Sequence, residues 1–245
     1  MALVAPWITL SSDLARLAAG AFAFACVCAE VLAVAAFTPP FDRRGLVALP
    51  IPIAVLGLVA WLGSALPELA AAMLVTVALL ALGALTGAVV GRAIQKPGHL
   101  LVVGVVSALV DVLSVLHPQG PTAQLVQIET VVSVLLLPWP ILGTSAIVPI
   151  LGVGDITFAA LYAVATRRHG LSMRRTVIAL AAAFATTLLV LLITEASVPA
   201  LPFLGVAILV AHPEARRLPA EDRRTAAVGL VILIALFVML FALRG

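Results

Sequence analysis

Charged positions interrupt this chain at long intervals, and the intervals are close to uniform in length. No charge occurs between Arg44 and Glu68, Glu68 and Arg92, Arg175 and Glu195, or Arg224 and Arg244. Crossing the hydrocarbon of a bilayer takes about 20 apolar residues, so each gap predicts one membrane helix. A fifth span, from about Leu14 to Thr38, carries Glu30, and a sixth, from Gly98 to His117, carries Asp111. The seventh must contain Asp155 and recruit residues back to about Ile147, because the stretch from Asp155 to Arg167 is too short alone. A short eighth starts near Ala196 and ends before His212. The pattern predicts an all-α, polytopic membrane helix bundle with about 8 transmembrane helices (range 7–9). It divides into an N-terminal three-helix part (1–97), a core with the intramembrane aspartates (98–212), and an interfacial loop with a last helix (213–245).

Composition agrees. The 245 residues are 64% hydrophobic and 10% charged, with a mean hydropathy of +1.26, against about 45–50% apolar and about 25% charged in soluble domains. A soluble fold is excluded, and the lipid bilayer is the first expected partner. The first apolar stretch lacks the cationic start and cleavage site of a signal peptide, so it is expected as a retained helix. Cys26 and Cys28 point to different faces and have no second pair, so they are read as packing residues. No metal and no cofactor is expected.

The net charge of +3 does not point to nucleic acid, because the arginines lie in pairs between apolar spans, where they set orientation. Arg43 and Arg44, then Arg92 and Lys96, then Arg167, Arg168, Arg174 and Arg175, then Arg216, Arg217, Arg223 and Arg224 fall in alternate loops. With both termini outside, 12 of the 14 basic residues are cytoplasmic. A ninth span across 125–146 would send the eight downstream loop arginines outside, and Pro138 and Pro140 disfavour a continuous helix there. That segment is read as an outer, partly extended connection.

Three carboxylates remain inside spans: Glu30, Asp111 and Asp155. Each would cost about 2.5–3.5 kcal/mol at mid-helix if charged and unpaired. Glu30 has no motif around it and is read as packing. Asp111 lies six residues before the outer end of its span and Asp155 eight after the start of its own, depths of about 9 and about 12 Å at helical rise. Two carboxylates at similar depth can meet and share a proton, since both do not ionise easily. One then takes a proton from water while the other hydrogen-bonds the carbonyl under attack. Gly152 and Gly154 precede Asp155 and permit close helix approach or irregular backbone. Pro199-Ala200-Leu201-Pro202 leaves carbonyls unpaired at the start of another span.

Asp111 in one span, Gly152-x-Gly154-Asp155 opening a later one and Pro199-Ala200-Leu201 opening another resemble, in this order, the presenilin and signal peptide peptidase family of intramembrane aspartyl proteases. The run from Val110 to Pro121, with its Pro-x-Gly-Pro exit, is similar to the presenilin segment after the first catalytic aspartate. The resemblance covers about residues 98–212. It implies a presenilin-like bundle in which Asp111 and Asp155 are the catalytic pair, and Gly152, Gly154, Pro199, Ala200 and Leu201 shape substrate binding. The expected substrates are transmembrane helices or signal-peptide remnants, in an integral, multi-pass protein of a prokaryotic cell (inner) membrane. Val110 stands where the family has Tyr, and three spans precede the first aspartate span where the family has five. The charge alternation puts the connection between the aspartate spans outside, as in signal peptide peptidase. Alternatives are a prepilin-peptidase-like protease, which lacks a place for Pro-Ala-Leu, and a proton-coupled transporter using the buried carboxylates.

Overall fold

The computed structural model describes residues 13–39, 47–62, 65–117, 120–125, 127–194 and 196–242. In chain order the elements are α1 (Asp13–Phe37), α2 (Pro50–Leu62), α3 (Glu68–Ala93), α4 (His99–Leu116), α5 (Pro121–Leu125), α6 (Glu129–Leu135), β1 (Leu136–Pro140), β2 (Ile147–Gly152), α7 (Val153–Arg168), α8 (Met173–Thr194), α9 (Leu201–Ala211), a 3-10 turn (Pro213–Arg216) and α10 (Ala220–Ala242). Four helical stretches among the described residues are long and apolar enough to cross a membrane: Leu17–Phe37, Glu68–Ala93, His99–Leu116 and Met173–Thr194. Two of them contain the half-buried acids Glu30 and Asp111, so a lone carboxylate did not interrupt the helix. α2 and α9 are apolar but shorter. Trp61, Met73, Ile193 and Val206 stand 61–81% exposed, as side chains that face lipid do. Arg43, Arg44, Pro118 and Gln119 lie outside the described residues.

The chain divides into two compact units, Met1–Ala93 with Ile128–Arg168, and Ile94–Gln127 with His169–Gly245. The expected continuous core 98–212 is shared between the two units, because the chain returns to the first at Ile128 and leaves it again after Arg168.

In the first unit α7 is the buried centre, with Ala159, Ala160, Val164 and Ala165 fully enclosed. It packs on α3 through three glycines spaced by four. A Cβ on Gly83 would fall 2.6 Å from Ile156 Cγ2, one on Gly87 would fall 2.8 Å from Ala160 Cβ and onto the Thr157 carbonyl, and one on Gly91 would fall 2.6 Å from the Leu161 oxygen. Only glycine lets the two backbones come this near, which is how membrane helices gain dispersion energy without a hydrophobic driving force. The pairing 83 with 156 and 91 with 161 means that α3 and α7 run parallel. Arg167, near the C-terminus of α7, donates to the Ala36 and Thr38 carbonyls at the end of α1, a cationic cap on the negative end of a helix. The C-terminal ends of α1, α3 and α7 therefore share one side.

The connection before α7 is partly extended, as the prolines suggested, and it forms a strand pair. This corrects the all-α reading. β1 and β2 are antiparallel, with Leu137 opposite Leu151, Pro138 opposite Pro149, and an irregularity between Leu137 and Pro138. A two-stranded ribbon has an open edge on each strand, so proline's missing N–H can be accommodated there. Gly143, at φ 77°, makes the turn, and the Thr144 amide donates to the Ile141 carbonyl at 3.2 Å across it. The third position of such a turn requires positive φ, hence glycine.

In the second unit α4 and α9 cross with a Cβ on Gly205 only 3.1 Å from the Gly104 Cα. The contacts 104 with 205 and 111 with 201 make the pair antiparallel. α8 is antiparallel to α9 as well: Thr176 Oγ1, at the start of α8, lies 2.8 Å from His212 Nε2, just past the end of α9. Burial pushes the pKa of His212 down, so near neutral pH the imidazole is an uncharged partner for this hydroxyl. At the same end Lys96 pairs with Glu221 and, at 3.0 Å, with Asp222, which His99 also meets at 3.1 Å.

Candidate active site

Asp155 is the third residue of α7, and Gly152 is the last of β2. The Gly152 amide donates to Asp155 Oδ2 at 3.1 Å, so the carboxylate reaches back over the helix start as the acidic half of a capping box does. The helix N-terminus adds a field that favours a negative charge here. Residues 147–152 are strand, so depth cannot be counted along them at helical rise; the expected figure for Asp155 gives way to a position in the first turn of a helix.

The two glycines before it differ. A Cβ on Gly152 would sit 3.5 Å from Asp155 Oδ2, so a longer side chain would grow onto the carboxylate, whereas a Cβ on Gly154 meets nothing within 4 Å. Gly154 is exposed. The irregular backbone expected here is present, as a switch from strand to helix at Gly152. The close helix approach is not made by these glycines but by Gly83, Gly87 and Gly91 in α3. The period-4 run of glycine in Gly83-x-x-x-Gly87-x-x-x-Gly91 was open to reading from the sequence and was the signal missed.

Asp111 sits half-buried in the penultimate turn of α4. The Leu201 amide, the first of α9, donates to Asp111 Oδ2 at 2.9 Å. The orphan donors at a helix start need an acceptor, and with Pro199 and Pro202 carrying no N–H the amide of Leu201 is one of the few donors there. It finds its acceptor in the facing helix. Ala200 and Leu201 are buried and Pro199 half-buried. Two of the three motifs are thus in direct contact inside one unit: Asp111 and Pro-Ala-Leu. Beyond Asp111 the chain folds back on itself. Ser114 Oγ and Thr122 Oγ1 lie 2.6 Å apart, and a Cβ on Gly120 would be 2.8 Å from the Leu113 oxygen, so the glycine of the Pro-x-Gly-Pro exit permits that return.

Tyr162, the chain's single tyrosine, is two turns beyond Asp155 on α7, about 10 Å along the axis. It does not stand beside that carboxylate. A cleft of about 600 Å³ opens on one face of the ribbon, where Leu136, Pro138, Ile147 and Pro149 meet Val75 of α3, with Glu68 at its rim. Cys26 and Cys28 are free thiols in α1. Among the described residues no group of three or more His, Cys, Asp or Glu is arranged to hold a metal ion. Oε2 of Glu30 is buried without a hydrogen-bond partner among the described residues.

Comparison with protein-family models, with curated proteins and with solved structures finds no match to this chain.

Proposed function

We propose that the chain is an intramembrane aspartic endopeptidase that hydrolyses peptide bonds within transmembrane helices or signal-peptide remnants, with Asp111 and Asp155 as its two carboxylates. The observation that carries this reading is the 2.9 Å hydrogen bond from Leu201 to Asp111. Residues 90 apart in sequence, each from one of the three motifs, meet in one unit. A backbone amide fixes one oxygen of each aspartate, Gly152 N–H that of Asp155 and Leu201 N–H that of Asp111. The ionised member takes a proton from water, the protonated member hydrogen-bonds the scissile carbonyl, and no covalent intermediate forms.

A helical substrate must unwind before water reaches its backbone. The ribbon's open strand edges offer main-chain partners for an extended segment, and the cleft on the ribbon face would take its side chains. In this reading α2, α7, α9 and α10 complete about 8 crossings of a prokaryotic inner membrane in a presenilin-like bundle. The parallel run of α1, α3 and α7 and the antiparallel pairs α4 with α9 and α8 with α9 agree with the alternation of basic loops. α9 is only 11 residues, about 16 Å; residues 196–200 would extend its crossing as non-helical backbone, which is tolerated where it faces protein or water.

The test is cleavage of a membrane-embedded helix reporter by purified protein. Asp111→Ala and Asp155→Ala should each abolish product while the protein stays folded. Product surviving either substitution refutes the pair. Replacing 199–202 by a regular helical sequence should stop cleavage with the fold retained, and full activity in that variant removes the role of Pro-Ala-Leu in binding.

A further inference from the structure

On one face of the α8–α9 pair lies a groove of about 690 Å³. Its floor is small: Ala179 and Ala183 are buried and Ala207 half-buried. Its walls are tall and apolar, with Ile178, Val206 and Val210 each 58–64% exposed. On α8 it runs from Arg175 to Thr186, about 16 Å at helical rise. That is close to half of a hydrocarbon core about 30 Å thick. The groove spans one leaflet.

Its two ends differ chemically. Pro202, Phe203 and Thr186 close the deep end, and Arg175 lines the mouth. A second guanidinium lies just past the Ala211 end of the groove, outside its lining: Arg216 donates to the carbonyls of Leu209 and the wall residue Val210 at 2.6 and 2.9 Å. Those two bonds leave further guanidinium donors for another acceptor. Arg174 and Arg217 adjoin them in sequence, against the single carboxylate of Glu214.

We propose that this groove holds one acyl chain of an anionic phospholipid from the arginine-side leaflet, with the phosphate headgroup bound by Arg175 and Arg216. Charge complementarity selects the occupant. A basic mouth at the interface attracts an anionic headgroup, at a gain of about 5-fold in affinity per arginine, while the apolar trough fits a chain of leaflet length. The inference stands apart from the protease reading, since it uses neither aspartate.

Native mass spectrometry of the intact chain in detergent, with phosphatidylglycerol or phosphatidylcholine carrying identical acyl chains, decides it. The expected result is one tightly held phosphatidylglycerol, preferred by about 25-fold over phosphatidylcholine if the two arginines add. Arg175→Gln should cut the preference about 5-fold without changing the melting temperature, and Arg216→Gln should cut it about 5-fold while also lowering the melting temperature, since its bonds to the Leu209 and Val210 carbonyls are lost. Ala182→Trp, which fills the trough from an exposed position, should remove the adduct of both lipids. Equal retention of the two lipids by the wild type overturns the proposal, as does an adduct that persists in Ala182→Trp. A wild-type dimer that Ala182→Trp turns to monomer with its lipid still bound would assign the groove to a second copy and equally overturn it. Should Ala182→Trp fail to fold, the arginine variants decide alone.

Discussion

Backbone amides hold both aspartates, that of Gly152 holding Asp155 and that of Leu201 holding Asp111, and this separates what the carboxylates do for the fold from what they are proposed to do for catalysis. Asp155→Asn keeps an oxygen for the Gly152 amide, so its melting temperature should stay near wild type while reporter cleavage is lost. Asp155→Ala should lose both, at about 0.5–2 kcal/mol of stability for a helix-start acceptor. A cleavage-competent Asp155→Asn would make the residue a cap only. The neighbouring glycines extend the contrast. Gly154→Ala meets open space and should be neutral or stabilising, by up to about 1 kcal/mol, so any fall in cleavage would report substrate access and not folding. The identities of Asp111 and Asp155 were legible because a carboxylate among apolar residues is conspicuous. Their amide partners were not: a hydrogen bond between residues 111 and 201 leaves no mark on local composition.

Helices here are held by close backbone approach and by ion pairs at their ends, and the two respond to different perturbations. Gly87→Val would drive its side chain into Ala160 and the Thr157 carbonyl. Overpacking of this kind costs about 1–3 kcal/mol, and it should lower the melting temperature of the detergent-solubilised protein well below that of Gly154→Ala. At the start of α10, His99 and Lys96 hold the Asp222 pKa below its ordinary value. A depressed carboxylate contributes stability that is fully present above the unfolded value of 3.8 and is lost as pH falls through the folded one. The difference in melting temperature between wild type and Asp222→Asn should therefore be present at pH 7 and vanish in the acid range below pH 3.8. An unchanged difference at low pH would assign it to packing. Element type was readable wherever an apolar run exceeded a crossing length; the strand pair was half readable, since prolines forbid a helix without specifying a partner strand.

Direction is the property of the whole chain that charge and contacts both address. The C-terminal ends of α1, α3 and α7 share a side in the first unit, so reporters fused after Thr38, Arg92 and Arg168 should all read the same compartment, the cytoplasm if the arginines orient the chain. A reporter fused after Leu116 should read the opposite one. A cytoplasmic reading there would overturn the signal-peptide-peptidase-like orientation. The amino-acid sequence by itself determined that this chain belongs in a membrane, where its long helices run, and which carboxylates sit inside them, because those follow from the cost of transferring each residue type into hydrocarbon and that cost is local. Tertiary structure alone decided that a glycine ladder in α3 seats α7, that Leu201 closes on Asp111, and that prolines 138 and 149 face each other in a ribbon. These depend on which surfaces approach within a few ångströms, and many apolar faces of equal hydropathy could have competed for each of them.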